Sequence, residues 1–109
     1  MIDVREPDEY AVSHIPGAEN ITDPEIIAAM LLQPDQQIVV YCSVGYRSAA
    51  FARELQRMGL NNVNNLQGSI FAWANQGLPL SNSSGNTKAV HPYDEYWGKL
   101  LNESVPQQY

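Results

Sequence analysis

Apolar and β-branched residues fall into four short runs along the chain, and each run predicts a β-strand. The runs cover residues 2–5, 18–21, 38–42 and 63–66. Segments with helical spacing separate the runs, and this alternation is typical of a parallel α/β sheet rather than of hairpins. We therefore expect an α/β fold built on a parallel sheet.

Three segments between and after these strands show the pattern and the capping residues of helices. The first covers residues 24–33, with Asp23 as its N-cap and a proline at its first position. The second covers residues 48–58, where apolar side chains recur at helical spacing before Gly59 ends the pattern. Residues 69–76 predict the third helix.

The composition changes after residue 80, so we expect the domain of residues 1–80 to end there. Residues 81–87 read SNSSGNT, which is the polar composition of a flexible linker. Residues 88–109 form a C-terminal tail that contains a short amphipathic helix. The apolar face of that helix consists of Tyr93, Trp97, Leu100 and Leu101. We expect this face to dock on the domain, and a partner-binding helix is the alternative.

Length and charge narrow the class of protein. The 109 residues suffice for one compact domain, and 12 acidic against 6 basic side chains give a net charge of −6. This charge repels phosphate backbones and anionic lipid surfaces, so neither nucleic acid nor a membrane is an expected partner. The chain shows no apolar run of about 18 residues and no signal-peptide pattern at its start. We therefore expect a soluble protein of the cytoplasm.

The single cysteine, Cys42, stands where the third predicted strand ends and a glycine-containing turn leads into a helix. An unpaired cysteine is often a small buried core residue, and this is the alternative to a reactive thiol. Binding sites of open parallel sheets, however, lie outside the carboxyl ends of the strands. Gly45 permits a tight arc there, in which successive amide groups and the helix N-terminus form a concave nest of positive potential.

A thiol in such a nest is expected to have a lowered pKa. The amides, the helix dipole and the nearby Arg47 all favour the thiolate, which is the nucleophilic form. The same ring of amides can hold an oxyanion beside the sulfur, such as thiosulfate, phosphate or arsenate. The combination of strand, cysteine, glycine-containing turn, arginine and helix favours a reactive site over a buried core cysteine.

Three segments resemble the signature blocks of the rhodanese, or sulfurtransferase, family. They are IDVREPDEYAVSHIPGAENI at residues 2–21, IVVYCSVGYRSAAFARELQRMGL at 38–60 and NVNNLQGSIFAWANQGLPL at 62–80. The resemblance implies a parallel sheet with helices on both faces. It also implies a catalytic cysteine that carries a persulfide from a sulfur donor to a thiophilic acceptor.

The resemblance assigns roles by position. Cys42 and Arg47 become the catalytic residues, one as the persulfide carrier and the other as the cation that closes the loop. The substrate-binding loop between them consists of Ser43, Val44, Gly45 and Tyr46. The supporting residues are Asp3, Arg5 and Ser48. For Asp3 and Arg5 we favour a structural ion pair that orders the backbone near the loop over a direct catalytic role.

Loop length distinguishes two chemistries within this resemblance. The sulfurtransferases have six residues from cysteine to arginine, as residues 42–47 have here, whereas the related phosphatases have one more. We therefore favour transfer of sulfur from a donor such as thiosulfate to cyanide, a small thiol or a protein thiol. The alternatives are a non-catalytic sulfur-carrier or partner-binding module and, less favoured, a phosphatase or arsenate reductase. Because no second cysteine is present, the acceptor must be external.

Neither a metal nor another cofactor is expected, because two isolated histidines and one cysteine lack metal-ligand spacing. His14 and His91 are interpreted as non-catalytic. Ser43 occupies the position where many thiosulfate-using members have a basic residue, which leaves the natural donor open. Members also usually carry a strand and a helix before the first block, so we expect one edge strand to be missing. The tail, or a second copy in a homodimer, could cover that exposed edge.

Overall fold

A four-stranded parallel sheet forms the centre of the computed structural model, which describes residues 1–30 and 36–109. The strands, in the spatial order β2-β1-β3-β4, are β1 Ile2–Asp3, β2 Glu19–Asn20, β3 Ile38–Tyr41 and β4 Val63–Asn65. Every neighbouring pair runs parallel. Each strand lies within one of the four predicted runs, and the predicted α/β class is confirmed.

Parallel pairing brings the carboxyl ends of the strands to one edge of the sheet. Asp3 at the end of β1 is paired with Tyr41 at the end of β3, and Val40 is paired with Asn65 at the end of β4. The residue after β3 is Cys42, so the chain turns away from the sheet at this edge. The strands therefore place the cysteine where open parallel sheets form their sites.

Five helices accompany the sheets in the described part of the chain. They are α1 Pro7–Val12, α2 Pro24–Ala28, α3 Tyr46–Arg57, α4 Ser69–Asn75 and α5 Glu95–Gly98.

The helix predictions hold with different bounds. In α2 the cap is as expected, because the Glu25 amide donates to the Asp23 side chain at 2.9 Å. The helix ends at Ala28, and residues 31–33 of the prediction lie outside the described residues. The next helix, α3, begins at Tyr46, two residues earlier than predicted. Its N-cap is Gly45, so the helix starts without a hydrogen bond from a capping side chain. No pattern predicted α1.

Two hydrophobic cores occupy opposite faces of the sheet, because alternate side chains of a strand point to opposite faces. Val40 and Cys42 lie in one core, while Tyr41, which stands between them in the chain, lies in the other. The first core contains Ile27 of α2 and residues of α3, including Phe51 and Leu55. The second core is built on α4 and the C-terminal segment, with Ile70, Phe71, Leu80, Val90, Leu101 and Val105. Helices thus cover both faces, as the family resemblance implied.

The segment expected to be a flexible linker is a β-hairpin instead. Its strands, β5 Leu80–Asn82 and β6 Gly85–Thr87, pair antiparallel. Polar side chains stabilise the turn, because the Ser84 amide donates to the Asn82 side chain at 2.9 Å. Two backbone hydrogen bonds between His14 and Ser81, of 2.9 and 3.0 Å, join the hairpin to the sheet-bearing part of the chain. The polar composition was therefore that of a hairpin turn and not of a linker.

The predicted face of the tail helix is only partly correct. Leu101 is buried in the second core and Trp97 packs beside it, but Tyr93 and Leu100 are 46 % and 52 % exposed. The reason is that α5 has a single turn, capped by the Asp94 side chain, which accepts from the Trp97 amide at 2.7 Å. Helical spacing therefore does not continue along the stripe. Where one domain ends and the tail begins stays a prediction.

None of the helices in the described part of the chain is long and apolar enough to cross a membrane. Among the same residues, β2 and β4 lie at the two edges of the central sheet. Association of two copies through such an edge also stays a prediction.

Candidate active site

Cys42 is held at the sheet edge by the first residues of α4. Its backbone carbonyl accepts from the Ile70 amide at 3.1 Å, and the Ser43 carbonyl accepts from the Phe71 amide at 3.0 Å. The Cys42 amide donates to the Ser69 hydroxyl at 3.2 Å. These contacts satisfy backbone groups that the end of β3 would otherwise leave unpaired, and they fix the direction in which the loop turns.

Glycine is required at position 45 by the backbone of the loop. Its φ of +121° lies in a region that residues with a Cβ rarely adopt. This conformation turns the Gly45 amide onto the Cys42 sulfur, to which it donates at 3.1 Å. From β4, the Asn65 side-chain amide donates to the Gly45 carbonyl at 3.1 Å and so fixes the peptide that follows Gly45. Sequence reasoning did not identify Asn65.

Ser48, a predicted supporting residue, is buried directly beside the sulfur. Its hydroxyl lies 3.4 Å from Cys42 Sγ, 3.2 Å from the Gly45 carbonyl and 2.6 Å from Asn65 Oδ1. A hydroxyl carries one proton, so it can donate to only one of these three acceptors at a time. The serine can therefore turn its proton towards the sulfur when the sulfur becomes negatively charged.

The surroundings of Cys42 favour its thiolate. Burial raises the pKa of this thiol, but the hydrogen bonds from the Ser48 hydroxyl, the Ser48 amide and the Gly45 amide, with the charge of Arg47, lower it more. The net pKa is below the ordinary value of a cysteine. A buried cysteine in an apolar core would show the opposite shift. The site thus has the electrostatics of a nucleophile.

Arg47 binds a carboxylate that sequence reasoning missed. Its Nη1 donates to Glu9 Oε2 at 2.7 Å and its Nη2 to Glu9 Oε1 at 2.9 Å, a bidentate pair. The same Nη2 donates to the Ser43 hydroxyl at 2.8 Å, so Arg47 does close the loop. The sequence predicted Arg47 as the cation that closes the loop, and the structure adds Glu9 as its buried counter-ion.

Glu9 is held as a buried carboxylate. It is 2 % exposed, and it also accepts from the Glu6 amide at 2.9 Å. Burial raises its pKa, but the hydrogen bond and charge of Arg47 lower it more, so the net pKa is below the ordinary value. The sequence carries one signal for this residue: Glu9 precedes the buried Val12 by three positions, which places a charged side chain on the core-facing side of α1.

Asp3 and Arg5 form a fully buried ion pair below the loop. Arg5 Nη2 donates to Asp3 Oδ2 at 2.7 Å and to the Ser13 carbonyl at 2.7 Å. The guanidinium also lies 5.9 Å from the centre of the Tyr41 ring. Within the described residues, no hydrogen bond joins this pair to Cys42. The contacts are those of a structural ion pair, which is the role favoured from the sequence.

The contacts that the structure gives for the two histidines are with groups other than the Cys42 sulfur. The ring of His14 stacks on Tyr10, with 3.8 Å between the ring centres. Its Nδ1 is 3.2 Å from the Tyr10 carbonyl. His91 faces Asp8, with 3.7 Å between Nε2 and Oδ2. Among the residues that the structure describes, no group of three His, Cys, Asp or Glu side chains could hold a metal ion.

A small pocket of about 200 Å³ opens above the sulfur. It is lined mostly by apolar and aromatic surface, from Cys42, Ser43, Val44, Tyr46, Arg47, Tyr93 and Trp97. Two of these, Tyr93 and Trp97, come from the C-terminal segment and were not expected in the site. A larger cavity of about 490 Å³ lies between the end of α4 and the hairpin. Because the cysteine lines the smaller pocket and not the larger cavity, we place the candidate site at the smaller pocket.

The comparisons with known proteins agree with this geometry. A family model described as a rhodanese-like domain matches residues 1–76. A sulfurtransferase from Allochromatium vinosum is 38% identical over 81 residues, which are 73% of this chain and 76% of that protein. The probable adenylyltransferase/sulfurtransferase MoeZ of Mycobacterium tuberculosis is 38% identical over 82 residues, but the match spans 72% of this chain and only 21% of that protein. The crystal structure of a rhodanese-related protein from Thermoplasma volcanium superposes with a TM-score of 0.60 at 33% identity, covering 72% of this chain and 79% of that one.

Proposed function

The chain belongs to the rhodanese-like domain family, and we propose that it is a sulfurtransferase that carries sulfane sulfur as a persulfide on Cys42. The observation that carries this proposal is the Cys42 sulfur itself: it accepts a hydrogen bond from the Gly45 amide, lies beside the Ser48 hydroxyl, and has a lowered pKa although it is buried. The two relatives described above, both named as sulfurtransferases, support the same chemistry.

In the first step the Cys42 thiolate attacks the outer sulfur of a donor such as thiosulfate. A sulfur–sulfur bond forms to Cys42, the donor's own sulfur–sulfur bond breaks, and sulfite leaves with its electron pair. The persulfide that remains carries its negative charge on the outer sulfur, beside the loop whose Gly45 amide and Ser48 hydroxyl hold the inner sulfur.

In the second step an external acceptor removes the outer sulfur. Cyanide or a thiolate attacks that sulfur, the bond to Cys42 breaks, and Cys42 leaves as the thiolate with the electron pair. A lowered cysteine pKa makes Cys42 a better leaving group in this step. The acceptor is external because Cys42 is the only cysteine of the chain.

Turnover tests the proposal. Thiocyanate formed from thiosulfate and cyanide is measured with the wild type and with Cys42→Ser. We expect the wild type to form thiocyanate and the serine variant to lose the activity. Equal rates in the two proteins would overturn the proposal. Hydrolysis of an aryl phosphate that depends on Cys42 would instead favour the phosphatase alternative.

A second candidate is a sulfur-carrier module that exchanges sulfur only with a protein partner. One observation favours it: Glu9 neutralises Arg47, and position 43 is a serine, so the loop has little charge to attract a dianionic donor. This candidate predicts that Cys42 takes up sulfur while turnover of thiosulfate with cyanide stays negligible.

A further inference from the structure

Three aromatic side chains form a wall at the mouth of the Cys42 pocket. Tyr46 belongs to the first turn of α3, and Tyr93 and Trp97 belong to the C-terminal segment. The rings of Tyr46 and Trp97 meet edge to face, with 5.7 Å between their centres. The ring of Tyr93 lies 4.5 Å from the central carbon of the Arg47 guanidinium. We call these three residues the aromatic wall.

The backbone of Tyr93 is strained where its ring joins the wall. Its φ is +71°, a left-handed conformation that is unusual for a bulky side chain and that persists only where the surroundings impose it. The Tyr93 amide donates to His91 Nδ1 at 2.9 Å, and Val90, three residues before Tyr93, is fully buried in the second core. Backbone strain of this kind is typical of positions with a functional reason for their conformation.

The C-terminal residues of the wall lie beyond residues 1–76, which the family model matches. Tyr93 and Trp97 are positioned by the core that Leu101 and Val105 enter, and by the Asp94 cap of α5. This part of the pocket is thus supplied by a segment outside the matched region. What this part of the pocket binds therefore depends on Tyr93 and Trp97, which the family model does not cover.

The wall determines what the pocket can attract. Of the residues that line the pocket, all of them described, Arg47 is the only cationic one, and Glu9 neutralises it through two hydrogen bonds. Tyr93 covers the guanidinium with its ring. The faces of aromatic rings carry negative potential, which repels anions, and their large apolar surface packs favourably against apolar groups. The volume of about 200 Å³ is below the ~300–1,000 Å³ of drug-sized ligand sites, so the occupant is small.

We propose that the aromatic wall selects, as the sulfur acceptor, a small thiol with an apolar or aromatic body over a hydrophilic or anionic one. The proposal rests on the persulfide chemistry proposed above. The acceptor's thiolate attacks the outer sulfur of the Cys42 persulfide, its apolar body packs against Trp97 and Tyr93, and Cys42 leaves as the thiolate. The product is the acceptor's own persulfide, and no further oxidant or reductant takes part.

The test compares three alkyl thiols of similar basicity: benzyl mercaptan, 2-mercaptoethanol and 2-mercaptoethanesulfonate. The protein is first loaded with thiosulfate, and kcat/KM is measured for each thiol as acceptor. We expect benzyl mercaptan to react best and the sulfonate worst. The Trp97→Ala variant should lower the ratio of benzyl mercaptan to 2-mercaptoethanol by roughly 3- to 10-fold, which corresponds to the loss of one aromatic contact.

A second variant, Tyr93→Asn, removes the other ring, and asparagine tolerates the left-handed backbone. It uncovers Arg47, so we expect the rate with the sulfonate to rise while the rate with benzyl mercaptan falls. The matched control is Leu100→Ala, an apolar side chain of the same segment that is 52 % exposed and does not line the pocket. We expect its acceptor ratios to equal those of the wild type.

The outcomes separate this proposal from the one on which it rests. If thiosulfate adds no sulfur to Cys42 in an intact-mass measurement, the proposed function fails. If the persulfide forms but the wild type prefers the sulfonate, or if Trp97→Ala and Tyr93→Asn keep the wild-type ratios, only the role of the aromatic wall is wrong. Because the order of the three thiols is measured on the wild type, the test does not depend on the variants folding.

Discussion

Replacing Glu9 by glutamine isolates the contribution of the buried carboxylate that holds Arg47. The side chain keeps its shape, but it loses its charge and one of its two acceptor oxygens. In the wild type those oxygens accept from Arg47 at 2.7 and 2.9 Å and from the Glu6 amide at 2.9 Å. Glutamine turns an NH₂ group towards one of these donors, so at least one charge-assisted hydrogen bond is lost.

The magnitude follows from the exposure of the two partners. A hydrogen bond to a charged group is worth about 1.5–3 kcal/mol. Arg47 is 32 % exposed, whereas Glu9 is 2 % exposed, so water can solvate the arginine in the variant and part of the loss is recovered. We expect Glu9→Gln to lower the free energy of unfolding by about 1–2 kcal/mol at pH 7. Urea unfolding followed by circular dichroism measures this difference.

The lowered pKa of Glu9 determines how its contribution to the free energy of unfolding changes with pH. The pKa of Glu9 is lower in the folded protein than the ordinary value of 4.5, so the carboxylate contributes stability above that value. This contribution is lost as the pH falls through the lower, folded-state pKa. The difference between wild type and Glu9→Gln should therefore be full at pH 7 and shrink as the pH falls below about 4.5.

A surface substitution of the same kind is the control. Glu54 pairs with Arg57 at 3.2 Å, but both side chains are exposed. Glu54→Gln should therefore change the free energy of unfolding by no more than about 0.5 kcal/mol. If Glu9→Gln were as stable as the wild type at pH 7, or if its deficit did not change below pH 4.5, the argument for a buried, ionised Glu9 would be refuted.

Three further predictions concern the loop and the C-terminal segment. Ser48→Ala removes a hydrogen bond to Cys42, so the pKa of Cys42 should rise. The pH dependence of Cys42 alkylation measures this pKa, and an unchanged midpoint of that pH curve would contradict the contact. Gly45→Ala strains a backbone with φ of +121° without a clash, since the added carbon lies 3.6 Å from Asn65, and should lower stability by about 1–2 kcal/mol in urea unfolding. Leu101→Ala should cost about 2–5 kcal/mol in the same assay, whereas the exposed Leu100→Ala should be nearly neutral; equal effects would contradict the docking of the tail.

The sequence predicted the parts of the fold and site that depend on neighbouring residues. The strand that ends at Tyr41, the turn at Gly45 and the helix that follows are all read from a stretch of about twenty residues, and the structure has them with small changes in bounds. Hydrophobic periodicity and turn chemistry act over such distances, so the pattern is sufficient. The alternation of strands and helices gave the parallel sheet for the same reason.

Contacts between distant parts of the chain could not be predicted in this way. Glu9 and Arg47 are 38 positions apart, and nothing in either local pattern points to the other. Tyr93 and Trp97 showed the apolar spacing of a docking helix. In the structure Tyr93 lies before the single-turn helix α5 and Trp97 lies within it, and both line the Cys42 pocket. Residues 81–87 were interpreted as a linker because their polar groups gave no sign of their partner at His14.

The most direct test of the central claim is the intact mass of the protein after treatment with thiosulfate. We predict one added sulfur atom on the wild type, no addition on Cys42→Ser, and loss of the added sulfur when cyanide or a thiol is supplied. Because Cys42 is the only cysteine, the added sulfur can be assigned to it without further mapping. A wild-type protein that stays at its unmodified mass, although its thiol titrates with a lowered pKa, would contradict the account.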